Sequence, residues 1–192
     1  MPDFDSRPRT AAQIGAAMLS VAAEFGFRAV APTEFRAVRT LAARRMKHRV
    51  STCRTFRTVQ AIQPASSLCF CEDGVITGLN GVLLLRQAAV AQLMSGAFDG
   101  LDVDLDLLAR PDEAPAIGYG WGMAATTKPG GAAVIASTMP LRVGPLGAIP
   151  FITNAVTAVG RHVSITRFGY RPLRGPDDNL LINDPVDLRR AA

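Results

Sequence analysis

Apolar positions recur at helical spacing through the first quarter of the chain. Thr10 followed three residues later by Gln13 makes a capping-box pattern, and Ile14, Met18, Val21 and Phe25 then repeat until Gly26 stops the run. This predicts an amphipathic helix. Phe27 to Ala31 reads as a short strand, after which Pro32 and Thr33 start a second helix whose Phe35, Val38, Ala42 and Met46 form an apolar stripe opposite its arginines. A further helical stretch surrounds Phe56 and Val59 and ends before Pro64.

The pattern then changes period. SLCFCE and VITGLNGVLLL flank Asp73-Gly74, a dipeptide suited to the positive φ angles of a type I′ turn, so two antiparallel strands are expected. Gln87 to Phe98 reads as a helix burying Val90, Leu93 and Met94, and the acidic FDGLDVDLDLLARPDEAP as an irregular connection. AIGYGWGMAA has the character of a central strand. KPGG follows as a turn opening AAVIASTM, a helix expected to end at Pro140. AIPFITNAV is a further strand, TAVGRHVSITRF a helix with Val159, Val163 and Ile165 near one face, and GYRPL with NLLIN two short strands around a GPDD turn. The sum is an α/β or α+β domain. Residues 1–26 are read as an N-terminal helical extension and residues 27–192 as one domain.

Composition agrees with a single packed core. The 192 residues are 48% hydrophobic and 19% charged with 17 Gly and 13 Pro, which excludes disorder; unperiodic glycine excludes collagen. No apolar run of about 18 residues appears, so no membrane span is expected. The opening MPDFDSRPRT carries acids and a proline before any apolar stretch, which points to the cytoplasm rather than secretion.

Charge is unevenly spread within the net +5. Residues 1–60 hold 11 Lys or Arg against 4 Asp or Glu; residues 61–120 hold 2 against 8; the remainder holds 8 against 4. Between Glu34 and Glu72 there is no acid, while Arg36, Arg39, Arg44, Arg45, Lys47, Arg49, Arg54 and Arg57 fall there. An anionic partner, an internal match to the acidic middle and a solvated face all fit this run. Nucleic acid fits less well, because the stretch contains Phe35, Val38 and Met46 as a core stripe and shows no second recognition helix.

Metal chemistry finds little support. Cys69 and Cys71 alternate around Phe70 and read as reduced packing residues; C-F-C is one residue short of C-x-x-C, and neither His48 nor His162 lies at ligand spacing from a cysteine. Asp102, Asp104, Asp106 and Glu113 mimic a calcium loop, but Leu107 stands where its sharp turn needs glycine. G-x-S-x-G, H-E-x-x-H and the Walker lysine motif are absent, so hydrolase, zincin and P-loop readings drop out.

The strand ending at Ala125, followed by Thr127-Lys128-Pro129-Gly130-Gly131-Ala132, forms a strand, glycine turn and helix. Such a helix start offers unpaired N–H groups and the positive dipole end to an anion, although Gly-Gly also makes ordinary turns. In the order of its elements the chain resembles the GNAT superfamily of acyl-CoA-dependent N-acetyltransferases over roughly residues 27–184. Thr127 to Ala132 sits where that family has its Gln/Arg-x-x-Gly-x-Gly/Ala pyrophosphate loop, matching at Gly130 and Ala132 and departing at Thr127. Arg167-Phe168-Gly169-Tyr170-Arg171-Pro172-Leu173 looks like its closing segment.

The resemblance implies a GNAT-like, mixed and mostly antiparallel sheet flanked by helices. It implies that strand 116–125 splays from strand 148–155, so that acetyl-CoA or another acyl-CoA lies between them. Main-chain groups from Met123 to Ala125 would hold the pantetheine, and Thr127, Lys128, Gly130, Gly131 and Ala132 the pyrophosphate. Asn154 would bond the cofactor or bridge strands. The family often uses a carboxylate near the central strand and a tyrosine on the last helix. This strand has no carboxylate and this helix no tyrosine, which leaves His162 and Ser164 as polar candidates, with Tyr119 able to reach a substrate. The implied activity is acyl transfer from CoA to a small-molecule or peptide amine. The alternatives are an acyltransferase served by acyl carrier protein, whose acidity suits the basic stretch, and a catalytically inactive thioester-binding or protein-interaction module. A homodimer is left open.

Overall fold

The computed structural model describes residues 9–46 and 49–185. Lys47 and His48, named above, lie outside the described residues. Helix α1 spans Ala11–Glu24 and begins with the expected capping box: the Thr10 hydroxyl accepts the Gln13 N–H, and the Gln13 side chain accepts the Thr10 N–H at 2.9 Å. Gly26, at φ +77°, turns the chain into β1, Phe27–Ala29. The next helix, α2, spans Phe35–Met46 and starts later than Pro32. A turn precedes it, because the Glu34 carboxylate accepts the Ala31 N–H and pairs with Arg28 at 2.7 Å, which lowers its pKa to about 2. Helix α3, Cys53–Ile62, is capped by Thr52.

Strands β2, Ser67–Glu72, and β3, Val75–Leu85, form the predicted hairpin, with Asp73 at φ +50° and Gly74 at +78° as the turn requires. Helix α4, Gln87–Ser95, stops at the left-handed Gly96, short of Phe98. It buries Ala89 and Leu93, whereas Met94, expected in the core, is 47% exposed. The acidic connection contains only a short 3₁₀ turn, Leu105–Leu107, whose start Asp104 caps, and Glu113 pairs with Arg86. No group of three or more His, Cys, Asp or Glu among the described residues could hold a metal ion.

The second half alternates: β4 Ile117–Ala125, α5 Lys128–Val143, β5 Phe151–Asn154, α6 Ala158–Phe168, β6 Arg171–Pro172 and β7 Leu180–Asn183. Helix α5 runs through Pro140 instead of ending there. A proline forfeits one helical hydrogen bond, but the next turn carries Leu141 and Arg142 into the core, and the Pro140 carbonyl still accepts the Gly144 N–H. Arg142, only 3% exposed, donates to the Leu146 carbonyl at 2.7 Å, the Asn183 side chain at 2.8 Å and the Asp184 carbonyl at 2.5 Å. It ties α5 to the last strand. Arg142→Met keeps the bulk and strands these acceptors, so chemical denaturation should report a loss of about 2–4 kcal/mol. A loss within about 0.5 kcal/mol, the range of ordinary surface changes, would remove that role.

The seven strands lie in the order β1-β2-β3-β4-β5-β7-β6, antiparallel except for the β4–β5 pair. One face packs against α1, α5 and α6 through residues such as Met18, Leu68, Val134, Phe151 and Phe168. The other carries α2 and α3 over Cys69, Leu79 and Ala124, and α4 over Leu83, Leu85 and Ile152. The helix read as an N-terminal extension thus contributes to the shared core. Cys53, Cys69 and Cys71 are unpaired, and burial pushes the Cys69 thiol up. Among the described residues, no helix is long and apolar enough to cross a membrane.

Candidate active site

Strand β4 is built around glycines because β5 lies over them. A Cβ on Gly118 would meet the Phe151 ring at 2.5 Å, and one on Gly120 the Thr153 hydroxyl at 2.8 Å. Against β3, the register pairs Gly81 with Gly122 and Val82 with Gly120, so Trp121 is a surplus residue, a β-bulge. A bulge bends its strand. On the other edge, the parallel pairing with β5 covers only Gly118, Tyr119 and Gly120, after which the two strands part. The edge of β4 from Trp121 to Ala125 has no strand partner on that side.

A cleft of about 800 Å³ fills this fork. Its walls include Met123, Ile135, Val156 and Val159, all large apolar side chains with 40% or more of their surface exposed. Val159, placed near one helix face with Val163 and Ile165, is 74% exposed and belongs to this wall together with Val163. An apolar channel beside unpaired strand edges suits an extended ligand that alternates amides with methylenes.

This topology matches what the resemblance implies, with the parallel pair splayed at its centre and a helix beginning just past the end of the longer arm. The chain has a GNAT-like fold. No family model and no curated protein matches its sequence. Among solved structures, GphF, a GNAT-like decarboxylase in complex with isobutyryl-CoA, is similar at a TM-score of 0.43 and 17% identity over 66% of this chain, which spans 64% of that protein's length. A GNAT family acetyltransferase from Brucella melitensis in complex with acetyl-CoA is similar at a TM-score of 0.43 and 15% identity, covering 82% of this chain and 86% of the other.

The residues singled out in the GNAT-like fork separate by position. Met123, Ala125, Gly131 and Asn154 line the cleft, as do Tyr119 and Ser164. His162 is exposed on α6 and is not among the lining residues, and Ala132 and Lys128 are exposed on the first turn of α5. The two glycines differ. Gly130 is buried, and a Cβ there would lie 2.7 Å from the Thr77 carbonyl oxygen, so it serves the contact between α5 and β3. Gly131 faces the cleft with only the Ala125 Cβ near, at 3.9 Å.

The anion cradle expected at this helix start is largely filled. The Thr127 hydroxyl accepts the Gly130 N–H at 3.0 Å, the Thr127 carbonyl accepts the Gly131 N–H, and Pro129 has no N–H to offer. Thr127 also donates to Glu72, as does Thr77, and these two bonds hold the Glu72 carboxyl below its ordinary value. Cationic side chains stand nearby instead. Arg45 and Arg49 of the basic stretch line the cleft, and Arg45 donates to the Thr126 carbonyl at 2.7 Å.

Sequence reasoning missed Asp99. It leaves the chain after α4, in a loop that the Trp121 indole N–H and the Ser51 hydroxyl pin by donating to the Gly100 carbonyl, at 2.6 and 3.1 Å. Its own Oδ1 accepts the Leu101 N–H at 2.7 Å, and Asp99 is part of the cleft lining. Tyr119 stands beside it, edge-on to Phe98 at 5.0 Å. Burial, with the Asp99 charge adding to it, raises the Tyr119 phenol to about 12, so it is a neutral hydroxyl at physiological pH. A carboxylate and a neutral phenol therefore stand together in the cleft, and the Ser164 hydroxyl belongs to the same lining.

Proposed function

We propose that this protein transfers an acyl group from a pantetheine thioester, such as acetyl-CoA or another acyl-CoA, to an amine. The observation that carries the reading is the open β4–β5 fork, whose unpaired edge and apolar walls fit a pantetheine arm. Asp99 and the hydroxyls of Tyr119 and Ser164 supply proton chemistry along the same cleft. The residues fit the arm well, while the pyrophosphate would rely on Arg45, Arg49 and the Lys128 main chain more than on glycine amides.

In this reading the amine nitrogen attacks the thioester carbonyl carbon, and Asp99 accepts the proton that the new C–N bond releases. Collapse of the tetrahedral oxyanion breaks the C–S bond. The departing thiolate takes a proton from the cleft, where Tyr119 and Ser164 are the neutral donors. Positioning and oxyanion stabilisation carry most of such a reaction, which uses no metal.

Binding is the first test. Acetyl-CoA or isobutyryl-CoA at a hundred times its dissociation constant should stabilise the native state by about 2.7 kcal/mol, visible as a higher Tm. If no CoA thioester shifts Tm or gives calorimetric heat, the cleft is not a thioester site. Turnover against a panel of amines then separates an enzyme from a silent thioester-binding module.

A further inference from the structure

We propose that the thioester donor is delivered to the cleft on an acidic carrier protein, docked against the solvent side of α2 and α3. The proposal rests on reading the cleft as a pantetheine site and names its partner. Arg36, Arg39, Arg44, Arg45, Arg49, Arg54 and Arg57 are all exposed, and none forms an ion pair with a described acid. No Asp or Glu lies between Glu34 and Glu72 to offset them. The acidic middle of the chain does not supply the match either: Asp106 pairs with Arg110 and Glu113 with Arg86.

The position of this charge matters as much as its amount. Helices α2 and α3 cover one face of the sheet, and Arg45 and Arg49 reach from that face to the cleft itself. A partner seated on the arginines would therefore stand over the opening. An arm tethered to such a partner enters as one phosphodiester, whereas free CoA brings a pyrophosphate and a further phosphate. The glycine turn offers little to that larger anion, because the Thr127 hydroxyl and carbonyl hold the Gly130 and Gly131 N–H groups and the Glu72 carboxylate lies alongside. Arginine forks favour carboxylates in a bidentate manner, and a like-signed array speeds encounter with an acidic surface.

The test compares three probes: an acidic acyl carrier protein in its holo form, the same protein without its arm, and CoA. At low ionic strength, holo carrier should bind at least about tenfold more tightly than either control, and the advantage should vanish near 1 M salt, where screening acts over about 3 Å. Arg36→Glu, Arg39→Glu and Arg54→Glu together lie outside the cleft lining. This triple variant should lose about tenfold or more in holo-carrier affinity with CoA affinity unchanged, which also shows that it has folded. Equal binding of CoA, equal binding of the armless carrier, an unaffected triple variant, or displacement of the carrier by duplex DNA would each overturn the proposal. If CoA binds and the carrier does not, only the delivery route fails; if no pantetheine-bearing probe binds, the reading of the cleft fails with it.

Discussion

Asp99→Asn should lower kcat for acyl transfer by about 10²- to 10⁴-fold while leaving the thioester KM near its wild-type value, as expected when a positioned general base is lost. Asparagine keeps an oxygen that can accept the Leu101 N–H, so the loop pinned through Gly100 should hold its place. The residual rate should rise with pH, since hydroxide then takes the proton that Asp99 no longer accepts and more of the amine is in its nucleophilic, neutral form. A second readout is independent of turnover. Asp99 raises the Tyr119 pKa through its charge, so in the variant the phenol should titrate lower, though still above its ordinary value because burial is the larger cause. Wild-type kcat in Asp99→Asn would sink the assignment.

Gly131→Asp should separate binding from folding. Gly131 does not have a positive φ, and the nearest atom to a new Cβ is 3.9 Å away, so the backbone accepts the change. An acid in the first turn of α5 complements the helix dipole by about 0.3–1 kcal/mol, so Tm should hold or rise slightly. The same carboxylate would enter the cleft beside Ala125 and repel a phosphate there, weakening thioester binding by roughly tenfold or more. Calorimetric titration with acetyl-CoA measures it. Normal affinity in a folded variant would move the ligand's path away from the helix start. Gly130, packed on the Thr77 carbonyl, offers no comparable experiment.

Local signals were legible in the sequence wherever they acted over a few residues. The Thr10–Gln13 capping box and the Asp73-Gly74 turn appear where the pattern put them, and the hairpin strands match to the residue. The features that failed depend on distant partners. Asp99 reaches the cleft through Trp121 and Ser51, each more than twenty positions from Gly100, and no periodicity in the acidic loop records that. Pro140 marked a helix end by local rule, yet burial of Leu141 and Arg142 beyond it prevails. By motif, Thr127 departs from a phosphate loop. Its hydroxyl turns out to be a helix cap shared with Glu72, which only the approach of β2 to α5 makes visible.

The surplus residue in β4 gives the protein an uneven tolerance to changes in length. Before the bulge, Tyr119 and Gly120 face opposite sides of the sheet; after it, Trp121 and Gly122 face the same side, with Gly122 against Met46 and Met123 turned toward α5. Deleting one residue here would restore strict alternation and let the two strands continue side by side. Met123 and Ala125 would keep their β3 partners and their faces, so the loss would fall on the bend that opens the fork rather than on the side chains that line it. Substitutions along this arm are graded changes, but the loss of a single codon would amount to shutting the channel.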